Sequence, residues 1–271
     1  MSLKNNLPIT WNRLKVEYYQ EIPSTNDLAK ENIKENPEAD FLIVCKKQTK
    51  GRGRSGRSFY SELDHGLYFS LAVQLKSIHP NALPLYTIAA ATALMQAVET
   101  ELGLALQVKW VNDLFYKNQK VAGILTEAIT DPTTNKISSL VIGIGLNLAG
   151  SFKEADSATQ EVAGTLYKEL PKDFNVNELL QQFLIVFGTY HQNLKDKKFL
   201  PIYEKKLLGI GRKVSYQRKN EIYYGVIQGV NVQGQLLVKN KQGELLTLLV
   251  EEIHFSSKKF RKGIGAQDEN S

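Results

Sequence analysis

The chain of 271 residues contains a single cysteine, Cys45, and no long run of apolar residues. One cysteine excludes an intramolecular disulfide and a metal centre built on several cysteines. No apolar segment approaches the roughly 18 residues that cross a bilayer, so the sequence predicts no transmembrane helix. Residues 1–15 also lack the apolar stretch and the small-residue cleavage site of a secretory signal. We therefore expect a protein of a reducing compartment, the cytoplasm, that is not inserted in a membrane.

The composition is that of a globular protein, with 42% apolar and 23% charged residues. The length suits one large domain with a smaller domain attached. The net charge of +6 comes mainly from two basic clusters. They comprise Lys46, Lys47, Lys50, Arg52, Arg54 and Arg57 in one acid-free stretch, and Lys258, Lys259, Arg261 and Lys262 near the C-terminus. Such clusters bind nucleic acids, membrane surfaces or small anions, and charge alone does not decide between these ligands.

Hydrophobic periodicity predicts both helices and strands in the first 205 residues. Helices are expected at 24–36, 84–102 and 176–195, with Ser24 or Thr25 capping the first. Strands are expected at 41–45, 67–75, 104–110, 113–117, 121–129 and 138–148. A tight turn is predicted at Asn118-Gln119, and the polar segment 151–172 is expected to be a loop or a short helix.

The pattern changes after Pro201 to short apolar segments about 8–12 residues apart. Turn residues separate them at Lys219-Asn220, Gln233-Gly234 and Gln242-Gly243. This spacing predicts a small β-barrel or sandwich. We place a boundary near residue 205, which divides the chain into residues 1–205, a small domain of residues 206–256 and a polar, basic tail of residues 257–271.

The segment from Gln48 to Arg57 alternates glycines with arginines. Glycine allows a backbone to approach a ligand closely, and its exposed N–H groups beside guanidinium groups bind anions. The spacing differs from that of a Walker A loop. A solvated basic loop or a disordered RNA-binding segment is the competing interpretation. The position between two predicted strands favours an ordered anion-binding loop.

A second group of charged residues surrounds a predicted hairpin. Lys109 and Asp113 lie at the ends of neighbouring strands, and Lys120 follows the turn, three residues before Gly123. Asp113 is a candidate Mg²⁺ ligand, since this ion prefers one or two carboxylates together with substrate phosphates. A lysine at a strand edge is more often only a solvated charge.

Two weaker signals are Gly143-Ile-Gly145-Leu-Asn147 at a strand end and Ser24-Thr25-Asn26 at a helix start. The first is also compatible with a tight turn, and the second with an ordinary helix cap. Cys45 is expected to be a core residue. The four histidines show no spacing that would bind a metal.

Taken in chain order, five segments resemble the motifs of the biotin protein ligases, the biotin–acetyl-CoA-carboxylase ligases. They are Ser24-Thr25-Asn26, Gln48 through Arg57, Lys109 through Asp113, Lys120 through Glu127, and Gly143 through Asn147. The resemblance covers about residues 20–255, and the second and third motifs are the most specific. Two positions depart from the family pattern: Val111 replaces a proline, and Phe59 stands where tryptophan is common.

The resemblance implies an α+β fold, in which a mixed-sheet catalytic domain packed with helices precedes a small SH3-like barrel. It implies that ATP and biotin form biotinyl-5′-adenylate and pyrophosphate, with Mg²⁺ as cofactor. A lysine of the biotin carboxyl carrier protein then accepts the biotin. Only about 20 residues precede Ser24. We therefore expect the short form without an N-terminal DNA-binding domain, as a monomer or homodimer.

The resemblance also implies roles for individual residues. Lys120, Arg54 and Asp113 would be catalytic, with Asp113 supporting the metal. The biotin-binding set would be Ser24, Thr25, Asn26, Gln48, Gly51, Arg52, Gly53, Lys120 and Gly123, with Gly143 completing the pockets. The ATP- and adenylate-binding set would be Arg52, Arg54, Arg57, Phe59, Lys109, Trp110, Asn112 and Asn147.

Two alternatives remain open at this point. A ligase for lipoate or another acyl group would share the fold, but the arginine–glycine segment from Gln48 to Arg57 argues against this alternative. An RNA-binding protein would use the Gly-Arg segment and the basic tail, and would need aromatic stacking platforms. Only Phe59 and Tyr60 lie close to that segment.

Overall fold

The computed structural model describes Leu3 and residues 7–62, 65–78, 82–131, 133–134, 136–218, 221–248 and 253–254. The larger of its two sheets is built from Leu14–Ile22 (β1), Asp40–Gln48 (β2), His65–Ile78 (β3), Gln107–Lys109 (β4), Asp113–Tyr116 (β5), Gln119–Thr130 (β6) and Ile137–Ala149 (β7). The α-helices are Thr25–Glu35 (α1), Leu83–Leu102 (α2), Ser157–Val162 (α3), Val176–Gln192 (α4) and Phe199–Lys205 (α5). The smaller sheet contains Lys213–Arg218 (β8), Glu221–Val230 (β9), Leu236–Asn240 (β10), Leu245–Leu248 (β11) and Ile253–His254 (β12).

The larger sheet is mixed and has the strand order β1-β2-β3-β7-β6-β5-β4. β1 and β2 are parallel and are connected through α1, whereas the other neighbouring pairs are antiparallel. The predicted mixed sheet packed with helices is confirmed.

Side chains of each strand alternate between the two faces of this sheet. In β2, Phe41 and Ile43 pack against Ile33 of α1 in a small apolar cluster. Leu42 and Val44 point to the opposite face and join the main core. α2 and α4 cover that second face. The α1 face is therefore covered by one short helix, which leaves room for a cleft.

The three longest predicted helices are present, with ends within a few residues of those expected. Ser24 caps α1, since its hydroxyl accepts a hydrogen bond from Asp27 N at 3.4 Å. α2 ends at Gly103, which has a φ of 65°. The segment 151–172, predicted as a loop or a short helix, contains the short helix α3.

Three elements of the structure differ from the sequence predictions. β1 was not predicted, because it is a sheet edge on which only Leu14 is buried and most side chains are polar. α5 was not predicted either, because Pro201 suggested a break. The proline lies in the first turn of α5, where its missing N–H costs no helical bond. β4 is also shorter than the strand predicted at 104–110.

The hairpin turn predicted at Asn118-Gln119 is wrong by one residue. Lys117 and Asn118 form the loop with φ of 47° and 63°, and Tyr116 pairs with Gln119. A type I′ hairpin turn has positive φ at both central positions, a conformation that asparagine tolerates well.

The smaller sheet is antiparallel, with the order β11-β10-β9-β8-β12. The predicted all-β C-terminal segment is confirmed, including turns at Gln233-Gly234 and Gln242-Gly243. Its order is open among the described residues, because β11 and β12 occupy opposite edges, so the expected closure into a barrel is not seen there. The turn predicted at Lys219-Asn220 and the basic tail of residues 257–271 lie outside the described residues. The division of the chain at residue 205 stays a prediction.

Hydrogen bonds connect the segment between β4 and β5 with α5 and with the β9–β10 turn, and connect α5 with β9. Trp110 Nε1 donates to Gly234 O at 2.9 Å, and Tyr203 Oη donates to Val111 O at 3.0 Å. Val230 N donates to the carboxylate of Glu204 in α5 at 3.1 Å. Apolar side chains of both sheets belong to one core cluster. Within the described part of the chain, no helix has the length and apolar character needed to span a membrane.

Candidate active site

A cleft of about 710 Å³ opens on the face of the larger sheet that carries α1. Gly123, Gly143 and Gly145 of β6 and β7 form its floor, with Gly123 paired to Gly145. A Cβ at Gly143 would lie 1.9 Å from Asn26 Oδ1, and one at Gly145 would lie 2.4 Å from the Phe59 ring. These glycines therefore let the start of α1 and the ring of Phe59 approach the sheet directly.

One end of the cleft consists of uncharged, buried polar groups at the start of α1. Thr25 donates to Gln48 Oε1 from its backbone N at 2.7 Å and from its hydroxyl at 3.0 Å. Gln48 Nε2 in turn donates to Ser61 Oγ at 3.1 Å. Ser24, Thr25 and Gln48 are each less than 9% exposed and line the cleft. This end is suited to a neutral ligand group that both donates and accepts hydrogen bonds.

The arginine–glycine segment forms an ordered loop over the cleft. Gly53 N donates to Arg57 O at 2.7 Å, and Phe59 N donates to Gly51 O at 3.0 Å. Ser55 and Gly56 at its tip have positive φ of 54° and 74°. The loop is thus closed on itself by backbone hydrogen bonds, as the sequence position between two strands predicted.

The opposite end of the cleft is strongly cationic. Lys120 Nζ pairs with Asp113 Oδ1 at 2.7 Å, and Arg54 Nη1 donates to Asn112 Oδ1 at 3.1 Å. Arg57 and Lys109 line the same region. This positive charge exceeds what the carboxylate of Asp113 balances, so an anionic ligand is favoured here.

Lys109 is only 8% exposed, and burial lowers its pKa from 10.5 to about 8. Asp113 opposes this shift, while Lys120 and Arg57 add to it. A lysine with a pKa of about 8 is still mostly protonated at pH 7. It therefore contributes positive charge to a buried part of the cleft, where screening by water is weak.

Phe59 forms part of the wall between the two ends. An added Cβ on Gly123 would be 3.1 Å from its ring, and Lys120 Nζ lies 5.9 Å from the ring centroid. The ring therefore packs against the glycines of the cleft floor, and this face of the ring is not available for stacking with a nucleic-acid base.

Most of the site residues predicted from the sequence line this one cleft. They are Ser24, Thr25, Asn26, Gln48, Arg52, Gly53, Arg54, Arg57, Phe59, Lys109, Trp110, Asn112, Asp113, Lys120, Gly123 and Gly143. Gly51 and Asn147 are not among the lining residues. Gly51 sits behind the loop, where a Cβ would be 2.3 Å from Ser61 Oγ. Asn147 is buried beside the cleft and donates to Gly164 O at 3.1 Å.

Six lining residues had no role assigned from the sequence, although all but Ser58 lie in the quoted motif segments. They are Ser55, Ser58, Ile124, Leu125, Ile144 and Gly145. Strand alternation from Gly123 and Gly143 identifies Leu125 and Gly145 as neighbours on the same face. Ser55 and Ser58 depend on the path of the loop, which no periodicity encodes.

The sequence pattern of the biotin/lipoate A/B protein ligase family matches residues 18–147, a range that contains all five motif segments. The chain is 29% identical over 229 residues to the bifunctional ligase/repressor BirA of Bacillus subtilis (strain 168), which covers 83% of this chain and 70% of the relative. It is 25% identical over 210 residues to the biotin–[acetyl-CoA-carboxylase] ligase of Paracoccus denitrificans, which covers 74% of this chain and 85% of the relative.

The fold is also shared with solved structures. The biotin protein ligase from Aquifex aeolicus in complex with biotin and ATP superposes with a TM-score of 0.72 and 27% identity. The superposition covers 89% of this chain and 97% of that one.

Residues 18–147 thus carry the pattern of the biotin/lipoate A/B protein ligases, and the relatives and the solved structure that the chain resembles include biotin protein ligases.

Proposed function

We propose that the chain is an ATP-dependent biotin protein ligase that activates biotin and transfers it to a lysine of a biotin carboxyl carrier protein. The observation that carries this proposal is the two-ended cleft. Uncharged hydrogen-bonding groups around Thr25 and Gln48 suit the ureido ring of biotin. The cationic end around Lys109 and Lys120 suits a carboxylate that meets a phosphate.

In the first step a carboxylate oxygen of biotin attacks the α-phosphorus of ATP, and pyrophosphate leaves. The two reacting groups are both anionic. Unit charges 4 Å apart repel by roughly 1 kcal/mol in water and by about 4 kcal/mol at an effective dielectric constant of 20. Fixed positive charge offsets this repulsion and stabilises the charge that develops in the transition state. Lys120, Lys109 and Arg54 are placed to supply it.

We assign the individual roles accordingly. Lys120 contacts the biotin carboxylate and the α-phosphate, and Arg54 holds the adenylate while Asn112 fixes its guanidinium group. Ser24, Thr25, Asn26, Gln48 and the backbone of Gly51 to Gly53 bind the ureido end. Arg52, Arg57, Phe59 and Trp110 surround the nucleotide, and Asn147 supports the cleft through its hydrogen bond to Gly164 O.

Mg²⁺ fits this site as an ion that ATP brings with it. Among the described residues, no cluster of three or more His, Cys, Asp or Glu side chains would hold a metal by itself. Asp113 offers one carboxylate inside the cleft, and Mg²⁺ commonly binds through one or two carboxylates together with substrate phosphates. When bound, the ion would neutralise phosphate charge.

In the second step the amine of the carrier lysine attacks the carbonyl carbon of the mixed anhydride. AMP leaves, and the attacking nitrogen loses a proton. Asp113 is the candidate acceptor for this proton, since its carboxylate lines the cleft. The cytoplasm, where ATP is available and thiols such as Cys45 stay reduced, is the compartment we propose.

Transfer to a carrier domain tests this function against the lipoate alternative. The purified chain is incubated with ATP, Mg²⁺, a biotin carboxyl carrier domain, and either biotin or lipoate. Mass spectrometry of the carrier should show one added biotinyl group and little lipoyl group. A lipoyl adduct in place of the biotinyl adduct would support the alternative ligase. No adduct with either acid, together with tight salt-sensitive RNA binding, would support the RNA-binding alternative.

A further inference from the structure

Glu127 has no role in the mechanism above, although it lies on the cleft face of β6 with Gly123 and Leu125. Its Oε2 accepts a hydrogen bond from Asn26 Nδ2 at 2.7 Å, and its Oε1 binds Lys30 Nζ at 2.6 Å. Each carboxylate oxygen thus has its own donor from α1. The side chain of Glu127 is 25% exposed, so these contacts lie at the edge of the protein interior.

Glu127 determines which way the amide of Asn26 faces. An ionised carboxylate only accepts hydrogen bonds, so the NH₂ group of Asn26 must point toward it. The reversed amide would place two oxygens 2.7 Å apart. Asn26 Oδ1 therefore points the other way, to Ser70 Oγ at 2.5 Å.

Ser70 transmits this orientation to Thr25. Its hydroxyl has one hydrogen, and Asn26 Oδ1 can only accept, so the hydrogen goes to Asn26. Ser70 then presents lone pairs to Thr25 Oγ1 at 2.7 Å. Two acceptors, Ser70 Oγ and Gln48 Oε1, compete for the single hydroxyl hydrogen of Thr25. That hydrogen stays inside the network, and the side of Thr25 that faces the cleft accepts hydrogen bonds.

We propose that Glu127 is a positioning residue which, through Asn26 and Ser70, keeps the Thr25 hydroxyl an acceptor toward the cleft. The site then favours a ring that carries N–H donors, such as a ureido ring, over a ring that carries only sulfur. This inference rests on the proposed function and names the group that sets its ligand preference.

The substitution Glu127→Gln tests the direction of the network. Lys30 only donates, so it takes the single oxygen of the introduced amide and leaves the NH₂ group of that amide facing Asn26. Asn26 must turn its oxygen to that group, and its own NH₂ then faces Ser70. The Ser70 hydrogen moves to Thr25 and occupies one of its lone pairs. Thr25 becomes a weaker acceptor toward the ligand.

The experiment measures biotin-dependent ATP–pyrophosphate exchange in four variants. Glu127→Gln should raise the KM for biotin about tenfold, which corresponds to one hydrogen bond, with the kcat and the KM for ATP near wild type. Lys30→Met should stay within about twofold of wild type, because Lys30 does not line the cleft. The double variant Lys30→Met/Glu127→Gln should recover, since the introduced amide is then free to turn its oxygen to Asn26. Glu21→Gln, in a surface ion pair with Lys47, is the matched control.

Calorimetric titration of biotin gives a second measurement on samples whose folded fraction is checked by thermal melting. A wild-type KM in Glu127→Gln would overturn the proposal. So would a double variant as impaired as Glu127→Gln, because loss of the carboxylate itself, and not the orientation of the introduced amide, would then explain the effect. Absence of biotin-dependent exchange and of biotin binding in the wild type would instead reject the proposed function, and this inference with it.

Discussion

At the residue scale, ion pairing and burial determine the charge that the cleft side chains present to a ligand. Asp113 is held by Lys120 at 2.7 Å, while Lys109 is buried nearby with a lowered pKa of about 8. An arriving phosphate would meet two lysines and one carboxylate. Water screens charges in a partly buried cleft less than charges at the surface, so the attraction between these lysines and a bound phosphate is stronger there.

The substitution Gly143→Ala should destabilise the protein and abolish biotin binding. Its Cβ would be 1.9 Å from Asn26 Oδ1, and hydrogen bonds to Glu127 and Ser70 hold the Asn26 amide in place. Overpacking of this kind costs about 1–3 kcal/mol of unfolding free energy. Urea unfolding and biotin titration measure both effects. Gly123→Ala should be milder, because its Cβ would be 3.1 Å from the Phe59 ring. Equal stability of both variants and the wild type would contradict the close approach at Gly143.

Residues that belong to a contiguous motif could be predicted at this scale, and residues that act through a motif could not. The arginines, Lys120 and Asp113 stand in dense, unusual patterns in the sequence. Ser70, Lys30 and Ser61 are isolated polar residues in three different segments. Only the sheet register, in which Ser70 pairs with Gly143, brings such residues together.

At the scale of elements, α4 and the short turn at Ile9–Trp11 enclose a histidine among aromatic rings. His191 stacks on Trp11 and Phe187 with centroid distances of 6.0 and 6.1 Å. Burial lowers the pKa of His191 below 6.5, while Asp40 opposes the shift. Nδ1 of His191 is buried without a hydrogen-bond partner among the residues that the structure describes. The folded state therefore favours the neutral imidazole.

This histidine should make the protein less stable in mild acid. Above the unfolded-state pKa of about 6.5 the imidazole is neutral in both states, so its protonation does not change the free energy of unfolding. Below it the unfolded chain binds the proton more readily, so the free energy of unfolding falls as the pH decreases toward the lower folded-state pKa. His191→Phe should reduce the loss of stability between about pH 7.5 and about pH 5.5. Urea unfolding at several pH values measures this, and parallel curves for the two proteins would refute it.

Elements with a clear apolar pattern could be predicted, and those stabilised by tertiary context could not. α2 and β7 are rich in apolar residues, and their positions were predicted with small errors at their ends. β1 has polar side chains at most positions and becomes a strand because it pairs with β2. α5 contains Pro201 and is stabilised by the burial of Phe199 and Tyr203.

At the scale of the whole molecule, the smaller sheet is packed directly behind the segment that carries Lys109 and Asp113. Tyr203 is fully buried and donates to Val111 O, while Trp110 donates to Gly234 O in the smaller sheet. The segment between β4 and β5, which joins Lys109 to Asp113, is thus held in place by residues that are distant in sequence. We expect the C-terminal segment to support the geometry of the nucleotide end.

The substitution Tyr203→Phe should lower the free energy of unfolding by about 1–3 kcal/mol, because the buried carbonyl of Val111 loses its partner. The measurement is urea unfolding by fluorescence. Tyr224→Phe is a suitable control, since Tyr224 is 56% exposed and its loss of a hydroxyl should change stability by less than about 0.5 kcal/mol. An unchanged free energy of unfolding in Tyr203→Phe would show that this hydrogen bond does not stabilise the packing of α5 against the segment between β4 and β5.

The central claim is that one cleft activates biotin with ATP, and the most direct test is biotin-dependent ATP–pyrophosphate exchange by the purified chain. We predict exchange that requires biotin and falls at least about a hundredfold in Lys120→Ala, which corresponds to about 3 kcal/mol of transition-state stabilisation. Lys117→Ala, an exposed lysine three residues away on the hairpin turn, should retain wild-type exchange. Exchange that does not depend on biotin, or that survives unchanged in Lys120→Ala, would contradict the account.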